Sequence, residues 1–256
     1  MKGQDHSSNF GIYFRFYKVC TKRKGGLQNI YKKQKLKIEI TQSNEGISIF
    51  FIDIYFILFL LICIMFEQID QYLNTCSTLS ESELSYFHSL LTFKKLKKKT
   101  MLLNAGDVCN FEGFINNGCV RVFYINEKGA EVILHFAIEN WWVSDITSFS
   151  QQIPSKLYIE ILEDSEILMI DFKSKEKLYK KIPQFERIFR LMIQRTYDTM
   201  MNRLIATYSK SAEDCYKEFI LKYPSIPQRV PQHLIAAYLG ISPEFLSKIR
   251  ARIVKA

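Results

Sequence analysis

The sequence predicts an α+β chain: a strand-rich middle of jelly-roll or barrel type, one long helix, and a small helical C-terminal unit. Three observations carry this. Six short runs between Phe93 and Ile170 alternate in polarity or are rich in β-branched and aromatic residues. Apolar residues then recur at three-four spacing between Ser174 and Tyr208. Finally, Gln232 to Ile253 reads as helix, glycine, helix.

The first 64 residues stand apart. They hold ten basic and four acidic residues, a net of +6, so the chain's +9 leaves only +3 from Met65 onward. Overall basicity is therefore weak evidence for a nucleic-acid partner, and local placement must carry that case. An apolar run from Ile47 to Phe66 is interrupted by Ser48 and Asp53. Its length is close to the ~20 residues of a membrane span. However, the Lys-rich stretch from Tyr31 to Lys37 would place the C-terminus outside by the positive-inside rule. The run also starts too far from Met1 for a signal peptide. Two readings of residues 1–64 stay open: upstream sequence from a start codon assigned too early, or a membrane anchor. The borderline hydropathy favours the former, with an amphipathic pattern opening at Met65.

The middle begins with a helical stripe, Leu79, Leu84, Phe87, Leu90 and Leu91, which Ser80 is placed to cap with Glu81 and Glu83 in the first turn. The predicted strands follow: Phe93–Leu96, Thr100–Leu103, Val120–Ile125, Glu131–Ala137, Leu157–Leu162 and Glu166–Ile170. Turn residues separate them at Asn104–Asp107, Asn116–Gly118 and Asn126–Gly129, the last marking a hairpin. No nucleophile elbow, P-loop, HExxH or GxGxxG is present, and His88 and His135 are isolated, so nothing argues for an enzyme. The six cysteines are scattered without zinc or iron–sulfur spacing and read as reduced, with no metal site. Trp141-Trp142 reads as core, Lys94–Lys99 as a lysine-protected edge strand, and Glu160, Glu163, Asp164 and Glu166 as a solvated edge.

The stripe between Ser174 and Tyr208 is wide enough to pack one flank on the strand domain and offer the other for self-association. In the last segment, Ile235, Ala236 and Leu239 face inward and Gly240 supplies the tight turn. Ser242 is an N-cap, Pro243 suits the first helical position and Glu244 faces the dipole. Leu246 and Ile249 continue the apolar face. Ser242, Glu244, Ser247, Lys248, Arg250 and Arg252 are left outward, a surface that suits double-stranded DNA.

From about Met65 the chain resembles the Crp/Fnr family of bacterial transcription regulators. The resemblance rests on Leu79-Ser-Glu-Ser-Glu-Leu84, Leu102-Leu-Asn-Ala-Gly-Asp107, Phe114–Phe123, Lys128–Val132 and above all Ile235-Ala-Ala-Tyr-Leu-Gly-Ile-Ser242. It implies an N-terminal extension (1–64), a β-roll sensor domain (65–180), a dimerisation helix (181–209) and a helix-turn-helix domain (210–256). It also implies a cytoplasmic homodimer on DNA, with RNA polymerase as a further partner. Glu244 would reach a base edge, and Lys248 stands where the family has a guanine-reading arginine. Pro243 replaces a DNA-contacting arginine. The effector pocket would fall at Ser144, Asp145, Ser155 and Lys156, but the family's nucleotide-holding Gly-Glu and Arg-Ser/Thr pairs are not matched. Cyclic AMP is therefore not the expected effector and no cofactor is expected. The cysteine cluster of oxygen-sensing members is missing. A membrane-tethered sensing module is the alternative reading.

Overall fold

The computed structural model describes residues 12–17, 33–38 and 64–255. The chain divides into two units, residues 1–61 and 62–256. In the first, β1 (Ile12–Tyr17) and β2 (Lys33–Ile38) pair antiparallel, with Ile12 opposite Ile38 and Tyr17 opposite Lys33. Residues 47–63 of the apolar run lie outside the described residues. Among the described residues no helix is long and apolar enough to cross a membrane.

The second unit opens with α1 (residues 64–74) and α2 (Glu81–Ser89). Ser80 caps α2 as expected: its Oγ accepts the Glu83 N–H, and Glu83 reaches back to the Ser80 N–H at 2.7 Å. Eight strands follow: β3 (Thr92–Leu96), β4 (Met101–Leu103), β5 (Glu112–Asn117), β6 (Val120–Ile125), β7 (Glu131–Ala137), β8 (Trp142–Val143), β9 (Tyr158–Ile161) and β10 (Ser165–Ile170). They form two four-stranded antiparallel sheets, ordered β3-β10-β5-β8 and β4-β9-β6-β7. This is the β-roll. The hairpin between β6 and β7 turns at Asn126, whose side chain accepts the N–H groups of Lys128 and Ala130.

Two-residue periodicity sorts the side chains into layers. Along β10, Ile167 and Met169 enter the core between the sheets, joining Ile115, Val120, Val122 and Ile159. Leu168 and Ile170 point the other way, under the helices, where they meet Phe87, Phe185 and Phe189. The β3-β10-β5-β8 sheet is thus covered on both faces. A short α3 (Ile146–Gln151) follows β8. β3 lies at a sheet edge, with Lys95 on Glu166 at 2.8 Å and Lys97 on Asp164 at 2.7 Å.

The helical stretch predicted between Ser174 and Tyr208 is two helices, α4 (Phe172–Lys181) and α5 (Gln184–Ser209). Pro183 causes the break, because it lacks an N–H and pushes Ile182 out of helical geometry. α5 buries Phe185, Ile188, Phe189 and Met192. Its later turns leave Ile193, Tyr197, Met200, Leu204, Ile205 and Tyr208 exposed.

Four helices close the chain: α6 (Ala212–Lys222), α7 (Ile226–Arg229), α8 (Gln232–Leu239) and α9 (Pro243–Lys255). Their core of Phe219, Ile235, Ala236, Leu246 and Ile249 is continuous with Phe123, Ile133 and Phe136 of β6 and β7. The helical unit therefore covers the outer face of the second sheet. Two arginines fasten it. Arg203 of α5 donates to the carbonyls of Leu134, Ile133 and Tyr238. Arg229 of α7 binds Glu139, Glu163 and the Gly118 carbonyl.

Candidate functional site

The turn between α8 and α9 is built as its residues require. Gly240 has φ +70°, a left-handed conformation that a Cβ would strain. The Ile241 N–H then returns to the Ala236 carbonyl at 3.0 Å. Ser242 accepts the Phe245 N–H at 3.2 Å and starts α9, with Pro243 as its first residue. Leu246 and Ile249 are fully buried and fix the helix against α8. Leu239, expected inward, is half-buried, and Leu234 takes the deeper place.

This seating leaves Ser242, Pro243, Glu244, Ser247, Lys248 and Arg252 exposed. At about 100° per residue, Glu244, Ser247, Lys248 and Arg252 share one face. Arg250 does not: it lies about 200° round from Lys248 and is half-buried. Arg252 leans towards Glu213 of α6 at 3.3 Å. The Glu244 carboxyl is held below its ordinary range by its own backbone N–H and the Ser242 hydroxyl. Lys248 forms no ion pair among the described residues, which makes it the free cation of this face. Sequence reasoning passed over Phe245, which is 41% exposed near the helix start.

The four residues assigned to the effector pocket are neighbours, but Asp145 and Ser155 are bonded to each other and Ser144 is tied to backbone. Asp145 is buried, caps α3 by accepting the Thr147 and Ser148 N–H groups, and takes the Ser155 hydroxyl at 2.7 Å. Ser144 donates to the Phe111 carbonyl at 2.8 Å. Lys156 is exposed. A carboxylate therefore occupies the helix start where a phosphate would otherwise find N–H donors.

The large cavity lies elsewhere, between β7, α5 and the helix-turn-helix unit, with a volume of about 520 Å³. Trp142, Thr199, Arg195, Arg203, His135 and Tyr238 are among its walls. Trp141 and Trp142, read as core, are half-buried: they pack on Tyr223, Phe114 and Phe189 and also face this space.

A family model for the cyclic nucleotide-binding domain matches residues 93–181. The anaerobic regulatory protein of Pasteurella multocida is 28% identical over 192 residues, covering 70% of this chain and 69% of that protein. The fumarate and nitrate reduction regulatory protein of Vibrio cholerae is 27% identical over 192 residues, covering 70% and 76%. Among solved structures, the c-di-GMP responsive global regulator CLP of Xanthomonas campestris superimposes with a TM-score of 0.58 at 12% identity, over 69% of this chain and 92% of that one. A crp/fnr-family transcriptional regulator from Eubacterium rectale gives 0.56 at 17% identity, over 69% and 85%. These structural likenesses establish the fold.

Residues 93–181 thus match a cyclic nucleotide-binding domain, and the chain is similar in sequence to the anaerobic regulatory proteins.

The four carboxylates read as a solvated edge are all paired: Glu160 with Arg121 at 2.6 Å, Glu163 with Arg229, and Asp164 and Glu166 with lysines. Cys76, Cys109 and Cys119 are buried free thiols and Cys215 is half-buried. Burial pushes the Cys119 thiol up to about 12, so it packs as a neutral group.

His135 is the histidine of the cavity wall. Burial first, and the Arg203 charge second, push its imidazole down from 6.5 to about 4. Between those values the unfolded chain binds a proton that the folded state does not, so stability falls as pH drops from 6.5 to 4. The wild-type protein is expected to lose on the order of 3 kcal/mol more than His135→Gln across that window. Urea midpoints of both proteins at several pH values test this, and parallel pH profiles would show that the folded state accepts the proton.

Proposed function

We propose that this chain is a cytoplasmic, dimeric, sequence-specific DNA-binding transcription regulator whose effector is not cyclic AMP. The observation that carries the reading is the seating of α9. Its apolar side is locked by Leu246 and Ile249, while Glu244, Ser247 and Lys248 stand outward on its first turns. A helix entering the major groove needs that arrangement.

The resemblance to Crp/Fnr regulators supports the dimer, as does the exposed apolar face of α5 from Ile193 to Tyr208, which a second copy of the helix would cover. Asp145 supports the exclusion of cyclic AMP. Its buried carboxylate would repel a cyclic phosphate and already takes the N–H groups that a phosphate would use. Lys248 donates to guanine without the arginine fork, so discrimination at its base is modest.

Selection of bound sequences from random duplex DNA is expected to yield a near-palindrome with half-sites about one helical turn apart. Lys248→Ala is expected to cost about 1–3 kcal/mol of specific binding. Thermal unfolding should not change, because Lys248 is exposed. An unenriched pool, or full affinity in the variant, would count against the reading.

A further inference from the structure

We infer that the cavity beneath the helix-turn-helix unit binds a small organic anion with a flat apolar body, such as an aromatic carboxylate or sulfonate. Its volume of about 520 Å³ suits a small molecule. Tyr72, Phe136, Trp142 and Met192 supply an apolar, largely aromatic wall. Two arginines line the cavity, and among the described residues no aspartate or glutamate does.

The arginines differ in what they can offer. Arg203 is committed to three backbone carbonyls and stacks on Tyr238 at 3.9 Å. It supplies positive potential from a half-buried position without a carboxylate partner among the described residues. Arg195 is lightly held, 3.5 Å from the Thr75 hydroxyl, and its charge acts on Tyr72. It is the group placed to meet the anion. The side chains of His135 and Thr199 have no hydrogen-bond partner among the described residues, which leaves polar atoms to orient a ligand. An anion gains more from such charges beside an apolar wall than in open water.

None of Ser144, Asp145, Ser155 or Lys156 lines this cavity. The inference deepens the reading of the chain as an effector-responsive regulator and rests on it for its consequence. Arg203 joins β7 to the end of α8, so an anion drawing on Arg203 would alter how the helix-turn-helix unit is held. The binding test below uses no DNA, so its failure leaves the DNA reading standing.

The test titrates the full chain with 8-anilinonaphthalene-1-sulfonate and, separately, with the uncharged N-phenyl-1-naphthylamine, both followed by fluorescence. The expected result is saturable one-to-one binding of the sulfonate and weaker binding of the neutral dye. Arg195→Gln is expected to weaken the sulfonate roughly tenfold and leave the neutral dye unchanged. Thr199→Phe, which puts a ring into the cavity, should weaken both while circular dichroism shows both variants folded. Equal binding of the two dyes, an unchanged Thr199→Phe variant, or sulfonate binding that vanishes as rising protein concentration lets a second copy cover the cavity would each overturn the inference.

Discussion

Gly118→Ala is expected to destabilise the second unit by roughly 3–5 kcal/mol, combining steric overpacking with backbone strain. A Cβ at this position would lie 2.0 Å from the Ser165 Oγ and 2.8 Å from the Ser165 Cα. Rotating the serine side chain relieves the first contact but not the second, which belongs to the backbone of β10. The φ of +118° adds its own penalty for any residue with a side chain. Nor is the peptide free to shift. Its N–H donates to Glu139 at 2.9 Å, and its carbonyl accepts from Arg229 at 2.9 Å. Any relaxation therefore pulls on the ion-pair network that fastens α7 to the β-roll. Adding Ser165→Gly should recover part of the loss, because it removes the side-chain overlap and leaves the φ penalty. Urea unfolding of the single and double variants measures this; a single variant as stable as wild type would mean the turn relaxes freely.

That turn shows which features could be read from the residues in advance. Asn116-Asn-Gly118 was recognisable as a turn, yet it does not close a hairpin: it carries the chain from β5 in one sheet to β6 in the other. The β6–β7 hairpin and the helix-turn-helix were legible because their signals are local. Alternation and Asn126 define the former, and Gly240, Ser242 and Pro243 define the latter. β5 escaped notice because Glu112 to Asn116 are all buried, between the helix layer on one side and the second sheet on the other. Alternation disappears when both faces are covered. β8, with two residues, and α3, with six, are too short to establish a period. The cavity had no local signature either, since its walls range from Tyr72 to Tyr238. Ser144, Asp145 and Ser155 were identifiable as loop residues of the expected pocket. The Ser155–Asp145 hydrogen bond and the tie of Ser144 to the Phe111 carbonyl depend on how loops distant in sequence meet, which spacing does not reveal.

Lys175→Met is expected to cost about 3–5 kcal/mol, while the double variant Glu112→Leu/Lys175→Met should come close to wild type or exceed it. The two side chains meet at 2.6 Å, with only 9% and 3% of their surfaces exposed. Burial pushes the Glu112 carboxyl up and the Lys175 ammonium down, in each case against the pull of the partner. Desolvation thus outweighs attraction for both groups, so the charged pair is tolerated rather than stabilising. Removing the lysine alone strands a buried carboxylate. Removing the carboxylate alone should cost less, because the ammonium still lies 4.1 Å from the Phe189 ring. The pH dependence gives a second readout with a definite sign. With its folded-state value raised above 4.5, Glu112 binds a proton in the folded chain before the unfolded chain does. Losing Lys175 raises the Glu112 value further, so the deficit of Lys175→Met should shrink as pH falls through the variant's value towards that of the wild type. Unfolding midpoints of both single variants and the double variant, at neutral and mildly acidic pH, provide the comparison. A double variant that loses the sum of the single losses would show that the pair is a net stabilising contact.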